Sequence, residues 1–527
     1  MLMFCLTILF SLPALWFVTR YNLHMLQLNG YVNKEHYVWL NDNVKRQWLL
    51  FAVAIVGILQ MFLMNTALLV FEWLTFVLTF FIFRLTCEMH SKKPFHFTFR
   101  CKRILLTDII ICAIFVVLIT LLWGFYAGTG TIAIALGLQM ILVPQANALN
   151  SPIEKAVRNS YINKAKNILS QCDDLTIIGV TGSFGKTSVK FYLNDILKAK
   201  FNVLMTPESY NTPMGIVKTI RESLTPSHEI FICEMGARYV GEIKEICDFV
   251  HPDVGIITSV GPAHLMTFGS LDNTAKTKFE LADSLPEGAK LFANADSEYV
   301  LRQLKSRQDA GIGDNCVLYS SDPNMSCDFS SEITNITSDG TDFATTANGV
   351  TTNFHTRLVG AHNVANLTGA IACASSFGMT EKEIVAQVRK ITPVPHRLEM
   401  KKQGDVTIID DAFNSNPQGS ASAVRTLAAF DGVRVLLTPG MVELGDEEEK
   451  YNFQFGEIAA ECCDWILLVG KTNSLAIKNG ALKAGFDSSR LKIFGTFDEA
   501  ISFAYKIDRA GKQAFILLEN DLPDNYS

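Results

Sequence analysis

Residues 179–188, with the sequence GVTGSFGKTS, combine the residue types that bind phosphate groups in proteins. Gly182 and Gly185 allow backbone N–H groups to turn inward and approach an anion closely. Lys186 would then reach the outer phosphates, and the hydroxyl of Thr187 would bind Mg²⁺. The segment therefore predicts a phosphate-binding loop whose binding residues are Gly182, Ser183, Gly185, Lys186, Thr187 and Ser188.

The sequence on either side of this loop predicts the elements that such a loop requires. The apolar run at 175–178 is typical of a buried strand, and residues 189–197 have the apolar spacing of a helix. The positive end of the helix dipole, near Lys186, would add to the attraction for an anion. Val180 stands six residues before Lys186, where a glycine is usual, so the loop is a variant of the general form.

Length, charge and cysteine pattern limit the class of protein. A chain of 527 residues predicts roughly three domains. The formal net charge of −6 gives no electrostatic basis for binding nucleic acid. None of the 12 cysteines belongs to a Cys-x-x-Cys pair, which indicates reduced core residues rather than disulfides or a zinc ribbon. The positive mean hydropathy, +0.22, comes mostly from the first 150 residues, so an apolar region precedes a soluble remainder.

The apolar N-terminal region predicts five membrane-spanning helices. Residues 1–19 form one apolar run without the basic start or the cleavage site of a signal peptide. Residues 48–83 form a longer run broken near 65–66, and residues 104–124 and 126–145 form a second pair. Runs of about 18 residues with almost no charge can cross a hydrocarbon core of about 30 Å, and a buried soluble core would not need that length.

The basic residues predict how these helices are oriented. Lysines and arginines are concentrated in segments 20–47 and 84–103, whereas the two short turns between paired spans contain none. Since basic loops remain in the cytoplasm, the N-terminus is predicted outside and everything after about residue 146 inside, where ATP is found. Glu72 lies within a span and is either a functional carboxylate or a residue near the interface that tolerates its charge.

The region after the membrane helices predicts a mostly parallel sheet wrapped by helices. Apolar runs at 202–205, 230–233, 254–257 and 290–293 alternate with helical patterns. Ligands bind at the carboxyl ends of the strands in such sheets. This part of the chain is therefore where a phosphate site is expected.

Polar residues follow two of these strands. Glu234 comes directly after the run at 230–233, and His264 follows the strand that ends near residue 259. A carboxylate and an imidazole on neighbouring loops suit a hard cation that is held beside phosphates. Lys278 lies at the start of a predicted helix and by itself would be interpreted as a solvated lysine.

An ordered set of motifs from the phosphate loop onwards resembles the Mur ligase family. The matching segments are 181–190 (TGSFGKTSVK), 211–215 (NTPMG), 234–237 (EMGA), 264–265 (HL), 275–278 (AKTK), 294–296 (NAD) and 360–366 (GAHNVAN). The resemblance covers about residues 174–500 and is strongest to the members that add D-alanyl-D-alanine in peptidoglycan synthesis. It implies an ATP-dependent ligase that forms an amide bond through an acyl phosphate on a muropeptide precursor.

The resemblance also implies cofactors and the residues that hold them. Two Mg²⁺ ions are expected, the first bound by Thr187 and the second by Glu234, His264 and Lys278. Lys278 would be carbamylated, which makes it an anion. Catalysis is expected to depend on Lys186, His264 and Lys278. The other residues expected near the nucleotide are Asn294, His362, Asn363, Arg397 and Asp411.

The C-terminal region predicts a second α/β lobe. Apolar runs at 406–410, 433–437, 465–469, 491–494 and 514–518 indicate a Rossmann-like sheet that lacks the dinucleotide-binding glycine loop. By resemblance, Arg397 would contact phosphate and Asp411 the ribose when this lobe closes. Asn414 and Asn416 would line the cleft, and Phe413 stands where the family usually has a tyrosine.

The predicted domains are a membrane domain at 1–148, a central ATP-binding domain at 149–392 and a C-terminal domain at 393–527. Soluble members of the family begin with a domain that holds the UDP-sugar end of the precursor, whereas membrane spans stand there in this chain. Three alternatives stay open: a membrane-anchored ligase for a UDP-linked precursor, a ligase for a lipid-linked precursor or another lipid-linked or polymeric carboxylate acceptor, and an inactive scaffold of a cell-wall synthesis complex. The soluble members have a Lys-Gly-Ser-Arg-like segment near their end, and residues 519–526 occupy that region in this chain instead. The identity of the added amino acid or dipeptide therefore also stays open.

Overall fold

The computed structural model describes residues 1–88, 94–262, 265–313, 315–412, 416–442, 444–470 and 473–520. These residues divide into two compact units, 1–160 and 161–520. All 12 cysteines are free thiols.

The first unit is helical. Its helices are α1 (Leu2–Leu28), α2 (Asn33–Asn43), α3 (Trp48–Leu63), α4 (Thr66–Glu88), α5 (Phe99–Trp123), α6 (Phe125–Gly137) and α7 (Gln139–Leu169). Three of them, α1, α4 and α5, are long and apolar enough to cross a membrane by themselves. Two further pairs, α2 with α3 and α6 with α7, pass the same test only when the two helices are taken together. The helices of the first pair meet at 92° and those of the second at 78°. Among the described residues, the number of candidate spans is therefore three, or up to five if each bent pair counts as one.

One detail differs from the predicted spans, and one that the sequence left open can be described. The run at 126–145 is not one straight helix, because α6 ends at Gly137 and α7 begins at Gln139. Glu72 is fully buried between the helices, and within the described part of the chain neither of its carboxylate oxygens has a hydrogen-bond partner. The structure thus places Glu72 inside the helical unit and not on its surface.

The second unit begins with a nine-stranded sheet. Its strands are β1 (Thr176–Thr181), β2 (Val203–Met205), β3 (Ile230–Glu234), β4 (Val254–Ile257), β5 (Lys290–Asn294), β6 (Asn315–Ser320), β7 (Phe329–Thr337), β8 (Gly340–Ala347) and β9 (Val350–Thr356). Their spatial order is β2-β3-β1-β4-β5-β6-β7-β8-β9. All neighbouring strands up to β7 are parallel, and β8 and β9 add two antiparallel strands at one edge.

Helices cover both faces of this sheet. They are α8 (Lys186–Leu197), α9 (Pro213–Ser223), α10 (Glu242–Val250), α11 (Leu265–Phe268), α12 (Leu271–Asp283), α13 (Glu298–Asp309), α14 (Ala361–Ser376) and α15 (Glu381–Val388). On one face α8 and α14 pack through residues such as Leu193 and Leu367. On the other face α9, α10 and α12 pack through Ile216, Ile246 and Phe279. Burial on both faces explains why the parallel strands are almost continuously apolar.

A six-stranded sheet follows in the same unit. Its strands are β10 (Glu399–Gln403), β11 (Val406–Asp411), β12 (Val433–Thr438), β13 (Trp465–Val469), β14 (Leu491–Phe494) and β15 (Ala514–Glu519), in the order β10-β11-β15-β12-β13-β14. The helices between these strands are α16 (Pro417–Ala428), α17 (Glu448–Cys462), α18 (Ser474–Lys483) and α19 (Phe497–Lys506). Only β10 is antiparallel to its neighbour. Two mostly parallel sheets that follow a helical N-terminal region in the sequence confirm the predicted fold class.

Candidate active site

The phosphate-loop segment connects the end of β1 to the start of α8, as its sequence predicts. Gly182 has φ +148° and Gly185 has φ +79°, values that favour glycine. A Cβ at Gly185 would lie 2.3 Å from Oδ1 of Asn366, so the loop packs against α14 without room for a side chain. The loop is also held by Thr258, whose hydroxyl donates to the carbonyl oxygen of Thr181 at 3.2 Å.

Lys186 folds back over this loop. Its Nζ donates to the carbonyl oxygens of Gly182 at 2.7 Å and Ser183 at 3.0 Å. Burial lowers the pKa of Lys186 to about 8, although the carboxylate of Glu234 opposes this effect. The ammonium therefore lies at the loop itself, where it can neutralise phosphate charge.

Glu234 ends β3, beside the loop, and its side chain is fully buried. Its Oε1 accepts hydrogen bonds from Oγ1 of Thr187 at 3.1 Å and from Nδ2 of Asn211 at 3.0 Å. Its Oε2 forms an ion pair with Nζ of Lys190 at 3.0 Å. Burial by itself would raise the pKa of Glu234, but Lys190 and Lys186 hold it below its ordinary value. A hydroxyl and an ionised carboxylate thus meet at the end of the loop, which is a suitable oxygen donor set for Mg²⁺.

Lys278 lies on α12 and is almost fully buried. Its Nζ is 5.4 Å from the centre of the Phe268 ring. Burial, together with the nearby cation of Lys186, lowers the pKa of Lys278 to about 7. At neutral pH a large fraction of this lysine is therefore a neutral amine, unlike a solvated surface lysine.

A cleft of about 310 Å³ opens beside the loop, between residues of the two sheets. The predicted site residues that line it are Gly185, Ser188, Asn294, His362, Arg397, Asp411 and Asn416. Residues as far apart in sequence as 185 and 416 therefore surround one cavity.

The charged groups of the cleft influence one another. Burial raises the pKa of Asp411 to about 6, although the guanidinium of Arg397 acts in the opposite direction. Burial and the same guanidinium lower the pKa of His362 to about 4, so this imidazole is neutral at pH 7. Nδ1 of His362 lies 2.9 Å from Oγ of Ser422, a contact that fixes the ring in the wall of the cleft.

The predicted residue Asn363 does not line this cleft. The amide of Asn363 lies in the core, where its Oδ1 accepts a hydrogen bond from the Tyr192 hydroxyl at 2.7 Å and its Nδ2 donates to the carbonyl of Val359 at 2.9 Å. The predictions for His264, Phe413 and Asn414 lie outside the described residues.

Four other residues of the cleft, and one buried lysine near it, were not predicted to have a role in the site. Asn366, Asp296, Gln418 and Glu519 also line the cavity. Lys190 does not line the cavity, and its side chain is fully buried beside Glu234. A lysine four residues after Lys186, on the same face of α8, was the signal for Lys190. Asp296 and Asn366 belong to the matching segments 294–296 and 360–366, whereas Gln418 on α16 and Glu519 on β15 gave no comparable signal.

Two family models match the second unit. Residues 180–374 match the Mur ligase middle domain, and residues 396–519 match the domain described as Mur ligase, glutamate ligase domain. The UDP-N-acetylmuramoyl-tripeptide–D-alanyl-D-alanine ligase of Escherichia coli K12 is 32% identical over 341 residues, which are 63% of this chain and 74% of that enzyme. The enzyme of the same name from Bacillus subtilis is 29% identical over 311 residues, 58% of this chain and 65% of its own length.

Solved structures show the same fold. A crystal structure of MurF from Acinetobacter baumannii has a TM-score of 0.63 at 24% identity and covers 70% of this chain and 78% of that one. The MurF ligase from Thermotoga maritima in complex with ADP has a TM-score of 0.60 at 22% identity, covering 69% and 80%. Together with the two family models, which span more than half of the sequence, these matches mean that the chain belongs to the Mur ligase family.

Proposed function

We propose that this protein is an ATP-dependent ligase that joins D-alanyl-D-alanine to the tripeptide of a muropeptide precursor. The observation that carries the proposal is the convergence of Lys186, Thr187 and Glu234 at the ends of β1 and β3, beside a cleft, in a chain of this family. The names of the E. coli and B. subtilis relatives support this choice of dipeptide and acceptor.

ATP would occupy the cleft with its phosphates on the loop. Gly182 and Gly185 give the loop the positive φ angles and the close packing that it requires, and Asn294, Arg397 and Asp411 are proposed to contact the nucleotide. Thr187 would hold one Mg²⁺, and Glu234 with His264 and Lys278 a second. When bound, these ions neutralise the charge that develops on the transferring phosphoryl group.

In the reaction, an oxygen of the acceptor carboxylate attacks the γ-phosphorus of ATP. The bond between this phosphorus and the oxygen that bridges it to the β-phosphate breaks, and ADP leaves with the electron pair. The amine of the dipeptide then attacks the acyl carbon, loses a proton and displaces inorganic phosphate, which leaves the amide. The ammonium of Lys186 would stabilise the negative charge of the phosphoryl group during its transfer. The walls of the cleft would hold the reactants in place and exclude water from the acyl phosphate.

Carbamylation of Lys278 is part of the proposal. A neutral amine is the form that reacts with carbon dioxide, and burial beside Lys186 favours that form. The resulting carbamate would carry a negative charge next to the Lys186 cation, which would reverse an unfavourable pair of like charges. It would also supply oxygen atoms for Mg²⁺ that a lysine lacks.

The membrane location completes the proposal. The apolar helices α1, α4 and α5 support a multi-pass protein of the cell membrane whose catalytic domains lie in the cytoplasm. They also favour a second candidate function, ligation on a lipid-linked precursor, since such an acceptor is confined to the membrane surface. In the first candidate function, by contrast, the tripeptide precursor is linked to UDP and is soluble.

The test of the proposed site uses two lysines at opposite ends of α8. In a phosphate-release assay with ATP, precursor and D-alanyl-D-alanine, Lys186→Ala should lower kcat by about 100-fold or more, because a transition-state charge contact is lost. Lys198→Ala, at an exposed lysine near the end of the helix, is the control and should retain normal turnover. Near-normal turnover of Lys186→Ala would contradict the proposed function.

A further inference from the structure

Lys190 lies one helical turn after Lys186 on α8, and its side chain is fully buried. A buried ammonium is unfavourable unless it is paired and hydrogen-bonded. Its Nζ forms the 3.0 Å ion pair with Oε2 of Glu234 and donates a hydrogen bond to the carbonyl oxygen of Glu208. Lys190 therefore connects the carboxylate at the end of β3 to the turn that follows β2.

The two oxygens of Glu234 have different surroundings. Oε1 is on the side of the Thr187 hydroxyl, at the end of the phosphate loop. Oε2 is on the side of Lys190. The ion pair consequently fixes the rotation of the carboxyl group and leaves the first oxygen directed at the loop. It also balances the negative charge of Glu234 when no cation is bound.

The turn after β2 is the second element that Lys190 holds. Glu208 has φ +43°, a left-handed conformation that is unfavourable for a residue with a side chain. The hydrogen bond from Lys190 reaches the carbonyl of this residue. Three residues later, Asn211 donates through Nδ2 to Oε1 of Glu234 at 3.0 Å. One ammonium thus supports Glu234 directly and also through Asn211.

We infer that Lys190 is a positioning residue for the divalent-cation site: it fixes Glu234 and the 207–211 turn so that Oε1 faces the cation. The inference rests on the proposed function, in which Glu234 binds Mg²⁺. Residues that orient metal ligands in this way typically change metal affinity by about 10–100-fold when they are replaced. Such a residue should affect cation binding more than nucleotide binding.

The experiment measures Mn²⁺ binding to the full-length protein in the presence of ADP, by electron paramagnetic resonance, for Lys190→Met and Lys190→Gln. The Kd for Mn²⁺ should rise by about tenfold or more in both variants. The Kd for ADP without metal should stay within about twofold, because Lys190 does not line the cleft. Lys198→Met, at the exposed lysine near the end of the same helix, should match the wild type.

A double-mutant cycle separates positioning from a general effect on packing. In a Glu234→Gln background, Lys190→Met should cause no further loss of Mn²⁺ affinity, because the group that it positions is already altered. An equal loss in both backgrounds would overturn the inference. So would a Kd for Mn²⁺ within about twofold of the wild type in a folded Lys190 variant.

Two further outcomes are distinguishable. If both Lys190 variants fail to fold, as judged by thermal unfolding, the ion pair serves the stability of the core and the inference is overturned. If the wild-type protein itself binds neither ADP nor Mn²⁺ with ADP, the proposed function fails, whatever the variants do.

Discussion

At the scale of single residues, the important feature is the number of charged groups that are buried together. Lys186, Lys190 and Glu234 meet at the end of the phosphate loop, and Lys278 lies close enough for the cation of Lys186 to lower its pKa. Such groupings are costly to bury and are concentrated at functional sites. The sequence indicates Lys186 through its motif, but the pairing of Lys190 with Glu234 appears only when α8 and β3 are placed side by side.

The proposed carbamate predicts a specific chemical rescue. Lys278→Ala should lose most of the ligase activity, because the substitution would remove the proposed ligand of the second Mg²⁺ together with its negative charge. Short carboxylic acids that fill the space should restore part of the activity in a steady-state assay. Lys276→Ala, at an exposed lysine of the same helix, is the control. Normal activity of Lys278→Ala without any additive would exclude the proposed role.

His362 predicts a pH dependence of stability. Its pKa is about 4 in the folded protein and its ordinary value is 6.5, so between these values the unfolded chain binds a proton that the folded protein does not. Stability should therefore fall as the pH decreases from 6.5 to 4. His362→Gln should reduce this fall, measured as the change in thermal unfolding midpoint between pH 7 and pH 5. An unchanged difference between the two pH values would show that His362 is not responsible.

At the scale of elements, the sequence predicts most of the parallel strands but misses β6. The predicted run at 254–257 coincides with β4, and that at 465–469 coincides with β13. Strands buried on both faces are continuous apolar runs, which explains this success. Strands β7 to β9, at one edge of the sheet, are rich in serine, threonine and asparagine. They were not predicted, because they bury few apolar residues, among them the stacked pair Phe343 and Phe354.

The glycine at the start of α8 predicts a measurable effect. Gly185→Ala should weaken ADP binding by about tenfold, since its Cβ would collide with Asn366 and displace the loop. Gly241→Ala is a matched control. Gly241 also has a positive φ and also directly precedes a helix, α10, but a Cβ added there would have no atoms within 4 Å. Calorimetry with ADP measures both variants. Equal effects of the two substitutions would mean that backbone conformation, and not contact with α14, is what matters.

At the scale of the whole molecule, the chain combines a helical unit with a Mur ligase unit. The family models match residues 180–374 and 396–519 and leave the N-terminal helices unmatched. The sequence predicts these helices from composition alone, because apolar runs of spanning length are rare in soluble domains. It could not predict the bends between paired helices or the complete burial of Glu72, since both depend on packing between helices.

The most direct test of the central claim is the mass of the acceptor after reaction with the purified full-length protein, ATP, Mg²⁺ and D-alanyl-D-alanine. The UDP-linked and the lipid-linked tripeptide precursors are tested separately by mass spectrometry. The account predicts that one of them gains the mass of one dipeptide less one water, with one ADP and one phosphate formed per product. ATP hydrolysis without a new amide on either acceptor, or no consumption of ATP at all, would contradict it.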